Sequence, residues 1–282
     1  MNWDALHAEL KVVPGLTCRR SEPMTRHTDL RVGGCVDLWV VAETRTSLEA
    51  AAAALKGIGK TLHFFEDGHM LVKDGRLSGA WLRLGALAWG VEAVDDEGVD
   101  VGAAHPVAAL HAWREERGMR PIPFLAKRSG TVGQAFKAGL LQGWVERCTV
   151  LRGVRVTEMV PEKRKDKQLL IRLRLKGKPS PETETEGQLR LLPEQIRALG
   201  MPGRVLEDPK NDNAAMLIRE AGLCGVRLRG ARIGQIESNA VVNLGGSSAK
   251  DLWLLLQMIR DRVKVHSGVH LQPALRRIGE EK

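Results

Sequence analysis

Tyrosine is absent from this 282-residue chain, and with seven Trp and four Phe the aromatic content is only 4%. No phenolic hydroxyl is therefore available as a proton donor or ligand contact. Cysteine is sparse too: Cys18, Cys35, Cys148 and Cys224 are scattered, with no CxxC pair and no His spacing that would build a zinc site. That pattern argues against a secreted disulfide framework and predicts free thiols in a reducing, cytoplasmic compartment. Long apolar runs are missing as well. The strongest, Leu252 to Ile259, falls far short of the ~20 residues needed to cross a bilayer. The N-terminus, MNWDALHAEL, places acids inside its apolar pattern, which excludes the uninterrupted core of a signal peptide.

What is present is 43% apolar residues and a net charge of +9. The first is enough for one large core or two moderate ones. The second gives a surface field that favours anions such as nucleotide phosphates, nucleic acid or acidic lipid. Turn and cap signals then divide the chain. Val36 to Val41 reads as a strand apolar nearly throughout, hence buried on both sides. Thr46-Ser-Leu-Glu49 is a capping-box pattern opening a helix with Leu48, Ala51, Ala52 and Leu55 on one face, and Gly57 to close it. Another helix starts at Pro106, aligns Val107, Leu110 and Trp113 or Arg114, and ends at Gly118. Short strands are expected at Ala80 to Leu84 and Val99 to Val101.

From Leu151 to Lys178 the chain alternates and becomes basic, with Lys163-Arg164-Lys165 and Lys167 between two strand-like runs, which predicts a basic hairpin tip. The polar, Pro-containing run GKPSPETETEGQ predicts a linker over 177–190 between a first domain at 1–176 and a second at 191–282. In that second part, Asp212 or Asn213 caps a helix carrying Ala214, Leu217, Ile218 and Ala221, which Gly222 ends. A strand at Ala240 to Leu244 leads through Gly245-Gly246 to Ser247 or Ser248, the cap of the longest helix, which Gly268 stops before a strand at Val269 to Leu271.

In order, HTDLRVGG (27–34), LVKDG (71–75), SGTVGQA (129–135), AAMLIREAGLCGVRLRGARIG (214–234), NAVVNLGG (239–246) and GVHLQPALRRIG (268–279) resemble the UDP-N-acetylenolpyruvoylglucosamine reductase family over nearly the whole chain. The resemblance implies an α+β protein, with an FAD-binding domain of the vanillyl-alcohol-oxidase type followed by a smaller α/β substrate domain. It further implies FAD reduced by NADPH, a hydride passed to the enolpyruvyl group of a UDP-sugar, and UDP-N-acetylmuramate as the product for peptidoglycan.

Several motif positions depart from the family's. Its GGGSN-type diphosphate loop is here Phe65, Glu66, Asp67, Gly68 and His69. Two carboxylates there repel a diphosphate, and Phe65 is expected to crowd it. Its GIPGTVGGA loop keeps Gly130, Thr131, Val132 and Gly133, but Gln134 replaces a glycine and Lys127 and Arg128 add charge. Weakened flavin binding and a plain strand-to-helix turn remain alternatives at this loop. The family's proton-donating serine, in AGSVFKNP, falls at Arg204. Its glutamate, in LEPEV, falls at Ala274, which neither hydrogen-bonds nor titrates. Arg164 is the loose match for its arginine, with a solvated basic tip as the alternative. Asn239 and Asn243 either line the substrate cleft or hold strand ends.

His27 reads as a turn-fixing histidine. Asp95-Asp96-Glu97 reads as an exposed turn, since consecutive residues rarely converge on one ion. Trp81, Trp89, Trp113, Trp144 and Trp253 read as core or interface material. Two functions stand against each other: a degenerate family member with a binding or regulatory role among cell-wall synthesis proteins, and an active reductase with relocated catalytic groups. Nucleic-acid binding rests on charge alone.

Overall fold

A computed structural model describes residues 2–57, 62–65, 69–93, 98–122, 130–137, 139–141, 143–165, 168–176, 204–210 and 212–279. The expected turn at 95–97 and the linker lie outside these residues. The fold is α+β. Its elements are α1 (Trp3–Lys11), β1 (Leu16–Pro23), β2 (Cys35–Ala42), α2 (Arg45–Leu55), β3 (Leu62–Phe65), β4 (Met70–Val72), β5 (Arg76–Leu84), β6 (Val91–Ala93), β7 (Val99–Gly102), α3 (Val107–Glu116), α4 (Val132–Lys137), β8 (Val145–Arg152), β9 (Arg155–Met159) and β10 (Leu169–Leu175). They continue with α5 (Ala214–Glu220), β11 (Arg227–Leu228), β12 (Ala231–Ile233), β13 (Val241–Asn243), α6 (Ala249–Ser267) and β14 (Arg276–Ile278). The sheets run β1-β2-β5-β3, β6-β7-β10-β8-β9, β11-β12-β13 and β14-β4. Among the described residues no helix is long and apolar enough to cross a membrane.

The chain divides into two compact units without a single cut. One contains residues 1–20, 38–66 and 79–199, the other 21–37, 67–78 and 200–282. The first holds two cores. Leu48, Ala51, Ala52 and Leu55 of α2 pack with Leu38, Val40 and Leu82, while Val107 and Leu110 of α3 pack with Val99, Val101, Leu173 and Trp144. The apolar stripe of α2 is the one its sequence spacing predicts. Its cap is not: Thr44, rather than Thr46, accepts from Ser47 N at 3.1 Å in a reciprocal box. Pro106 sits one position ahead of α3 in extended geometry. Arg114, not Trp113, completes the buried face of α3; its Nε and Nη2 donate to the Arg120 carbonyl at 3.0 and 2.7 Å, and it lies over Trp144.

The expected basic hairpin is not formed. β10 pairs with β7 and β8, and β9 pairs with the far side of β8. Lys163–Lys165 therefore lie on a connection that passes over a strand, since alternation identifies strands without naming their partners.

The second unit is organised around residues 70–75. β4 pairs in parallel with β14, Met70 opposite Arg276 and Val72 opposite Ile278. This is where the strand expected at Val269 to Leu271 has moved. The Asp74 carboxylate accepts from Ala249 N and Lys250 N at 2.9 and 3.1 Å, occupying the donors of the first turn of α6. A Cβ on Gly34 would lie 1.5 Å from the Gly75 carbonyl oxygen, so the HTDLRVGG and LVKDG segments meet backbone to backbone. Asn213 caps α5, and Gly268 closes α6 at φ 74°.

α6 opens with a capping box in which Ser248 and Asp251 exchange hydrogen bonds, and Arg229 Nη1 adds a contact to Asp251 at 2.6 Å. The Ser248 backbone N–H, then its hydroxyl, hold the Asp251 carboxyl below its ordinary value of 3.8, with Arg229 contributing further. Because the folded value is depressed, this contribution is fully present above the unfolded value and is lost as pH falls through the folded one. Ser248→Ala should lower unfolding free energy by about 1 kcal/mol, measured by urea titration. Asp251→Asn should flatten the decline in thermal midpoint below pH 3.8; an unchanged acid limb would contradict the assignment.

Candidate functional site

In the C-terminal unit the structure brings Arg204, Asn239 and Ala274 together. Residues 204–206 form a short extended stretch between two others: Arg204 bridges Ala240, Leu206 bridges Pro273, and Ala274 N donates to Val205 O at 3.0 Å. Asn239, fully buried, clamps this stretch. Its Oδ1 accepts from Leu206 N at 3.0 Å and its Nδ2 donates to Leu206 O at 2.8 Å. Both ends of the amide are thereby committed to backbone. Asn243 is committed likewise, donating to Leu30 O at 3.0 Å and accepting from Gly245 N at 2.9 Å. These side-chain bonds all run to main-chain groups, as a strand-end role requires.

Arg204 pairs through Nη1 with Asp208 Oδ2 at 2.5 Å, and the other Asp208 oxygen accepts from Ala214 N at 2.8 Å. The guanidinium is thus tied through Asp208 to the start of α5. Its Nε is buried with no acceptor. Ala274 contributes only its backbone.

In the N-terminal unit the loop at Gly130–Gly133 has a definite geometry. Gly130 takes φ 103°, open to glycine and strained for other residues. Every backbone N–H from 131 to 135 is engaged within the chain. Thr131 N donates to Gln134 Oε1 at 2.8 Å, Val132 N to His105 O at 2.9 Å, and Gly133 N to Ala103 O at 2.8 Å. Gln134 N donates to Thr131 Oγ1 at 3.3 Å and Ala135 N to Thr131 O at 3.0 Å. A Cβ on Gly133 would meet the Ala103 carbonyl at 2.9 Å, so that glycine serves close packing. A diphosphate needs free N–H groups, and these five are taken. Residues 131–135 do not fit a diphosphate cradle as they stand.

Arg164 is half-buried rather than a solvated tip. It lies 5.7 Å from the centroid of Phe136 on α4, and Nη2 donates to Gln168 O at 3.2 Å. His105 was not singled out by the sequence. Its carbonyl receives Val132 N, and burial, then the charge of Arg172, lowers its pKa and favours neutral imidazole.

Phe65 belongs to the core. It is buried at the end of β3, edge-on to Trp39 at 5.1 Å and 6.2 Å from Trp81. His69 lies 3.5 Å from Asp29 of the HTDLRVGG segment. His27 Nε2 meets Glu22 at 3.1 Å while its backbone N–H closes the 3-10 turn Met24–Arg26, in line with the turn-fixing reading. Glu66, Asp67, Gly68, Lys127, Arg128 and Lys167 lie outside the described residues. Trp81 and Trp144 are core, Trp113 and Trp253 lie under Arg117 and Arg277, and Trp89 is exposed at 44%. All four cysteines are free, and burial pushes the Cys18 thiol up to about 11, away from nucleophilic use. Among the described residues no group of three His, Cys, Asp or Glu could hold a metal ion.

The architecture is a two-unit α+β fold. The structure of UDP-N-acetylenolpyruvylglucosamine reductase from Thermus caldophilus shares the fold, with a TM-score of 0.68 at 24% identity over 93% of this chain and 99% of that one. Residues 195–278 match the family description of the UDP-N-acetylenolpyruvoylglucosamine reductase C-terminal domain. The reductase of Geobacter metallireducens is 30% identical over 99% of both chains, and that of Pelobacter propionicus 30% over 92% of this chain and 95% of its own. The chain belongs to the UDP-N-acetylenolpyruvoylglucosamine reductase family.

The Asn239 clamp generates a test. Asn239→Ala leaves two buried backbone groups of Leu206 unpaired, which should cost about 2–4 kcal/mol in denaturant unfolding. A residue that only lined a ligand cleft would leave stability unchanged.

Proposed function

We propose that this chain is a family member whose flavin binding and reductase turnover are weakened or lost, and that it retains the fold for a binding or regulatory role in UDP-N-acetylmuramate synthesis. The observation that carries this reading is Arg204, at the family's serine position, with its guanidinium held by Asp208. By resemblance, FAD reduced by NADPH supplies a hydride to the enolpyruvyl group of the UDP-sugar, and the carbon left with negative charge needs a proton. A guanidinium does not give one up. Losing a general acid alone typically costs ~10² to 10⁴ in rate. Ala274 removes a second group, and the self-satisfied N–H groups at 131–135 remove donors that a flavin diphosphate would require.

One observation favours the alternative, an active reductase with relocated groups. Arg164 is drawn in against α4, beside the glycine loop, where it could act on an anionic intermediate.

Measuring flavin absorbance of the purified protein, and NADPH oxidation with UDP-N-acetylenolpyruvoylglucosamine after FAD reconstitution, separates the two. The expected outcome is a colourless protein with turnover at least ~10²-fold below an intact relative. A yellow protein with ordinary turnover would establish the alternative. Gln134→Gly frees the Thr131 N–H and should increase FAD uptake, read by quenching of flavin fluorescence.

A further inference from the structure

We infer that a cleft at the start of α6 is a docking site for an acidic peptide segment of a partner protein, which seats one apolar side chain between flanking carboxylates. The cleft lies wholly within the second unit and encloses about 390 Å³, a size typical of sites that take a ligand. Its floor is apolar. Leu71 and Ile278 come from the paired strands β4 and β14, and Trp253 and Leu254 from the second turn of α6. Leu254 is 40% exposed, so this apolar surface continues out to solvent.

Three cations line the same cleft: Lys73 after β4, Lys250 in the first turn of α6, and Arg277 on β14. Arg277 stacks on Trp253, with Cζ 3.4 Å from the ring centroid, which holds a planar donor group against the apolar floor. Lys73 is held as well. A Cβ on Gly279 would lie 2.9 Å from its Cγ, so its stem runs against the backbone and its ammonium needs little ordering on binding. Among the described residues neither Lys73 nor Lys250 has an ion pair. The carboxylate in the lining, Asp74, already receives Ala249 N and Lys250 N, and three cations against this one acid leave the lining at +2. A cation from each of three elements around one apolar floor matches an apolar residue flanked by several carboxylates, whereas a lone monocarboxylate leaves most of them unanswered. Trp and Arg at such a pocket are the residue types that carry most of the binding energy when a partner's side chain is buried there. None of these positions is one to which the family resemblance assigns chemistry, so the cleft stands whether or not reductase turnover survives.

The test follows the fluorescence anisotropy of fluorescein-labelled peptides titrated with the full-length protein at constant ionic strength. Glu-Glu-Leu-Glu-Glu should bind saturably, while Glu-Glu-Ser-Glu-Glu, without the anchor, and Gln-Gln-Leu-Gln-Gln, without the charge, should each bind more weakly by roughly tenfold or more. The double variant Lys73→Gln, Lys250→Gln should lose a similar factor for the first peptide and keep the wild-type thermal midpoint, since both side chains are exposed. Arg155→Gln, on β9 of the other unit, removes a cation elsewhere and should bind as the wild type does. Leu254→Ser should weaken binding of the leucine peptide and leave that of the serine peptide unchanged. That comparison is made on one protein, so it reads the apolar contact independently of stability. No saturable binding of Glu-Glu-Leu-Glu-Glu, equal binding of the leucine and serine peptides, or equal binding by the double variant overturns the inference. Binding to phosphatidylglycerol vesicles that requires Lys73 and Lys250, without peptide binding, overturns it in favour of a membrane contact.

Discussion

The contact on which the C-terminal unit depends is the meeting of Gly34 with Gly75, where no side chain fits between the two backbones. It places the LVKDG segment at a junction with three attachments. Its strand pairs with β14, its Asp74 takes the first donors of α6, and Gly34 N donates to Lys73 O at 2.8 Å. An α6 start that is occupied by both Asp74 and the Ser248–Asp251 box is satisfied twice over, a strong way to fix a helix whose first four donors otherwise lack partners. Once this junction is made, the apolar face of α6 closes over Leu30, Val32, Leu71 and the strands beneath it. The short segments 27–34 and 71–75 are thus structural joints, fixed by backbone contacts within the unit.

Much of the fold was legible because its signals are local. The apolar stripe of α2, the Ser248 cap, Asn213 and the left-handed Gly222 and Gly268 all follow from one turn of sequence. The failures share a different cause. Thr44 and Thr46 both present a hydroxyl near a helix start, and neither pattern records where the preceding strand ends. β9 and β10 read as a hairpin because they are adjacent in sequence, yet β10 is shared by β7 and β8. Alternation carries the parity of a strand but not the identity of its neighbour.

At the candidate site, the frame was more legible than the contacts. Arg204 and Ala274 were named from motif positions some 70 residues apart, and the structure places both against one short stretch of backbone. The packing of Phe65 could not be read from its position, because a residue at the end of a strand can face either way, and its ring meets Trp39 and Trp81 from other strands. Gln134 was noted as a lost glycine, but its reciprocal bond with Thr131 depends on a side-chain conformation that no spacing records. His105 carries no motif; its significance comes from a carbonyl that happens to face Val132.

The Asn239 clamp grips only main-chain atoms of Leu206, and Val205 N returns a bond to Asn239 O at 2.9 Å. Nothing in that grip reads the side chain at 204. The clamp, unlike the Asp208 contact, is indifferent to the side chain at 204, so selection on folding and selection on chemistry act on it as separable pressures. A lineage relieved of one demand can drift at that position while the other continues to preserve its shape.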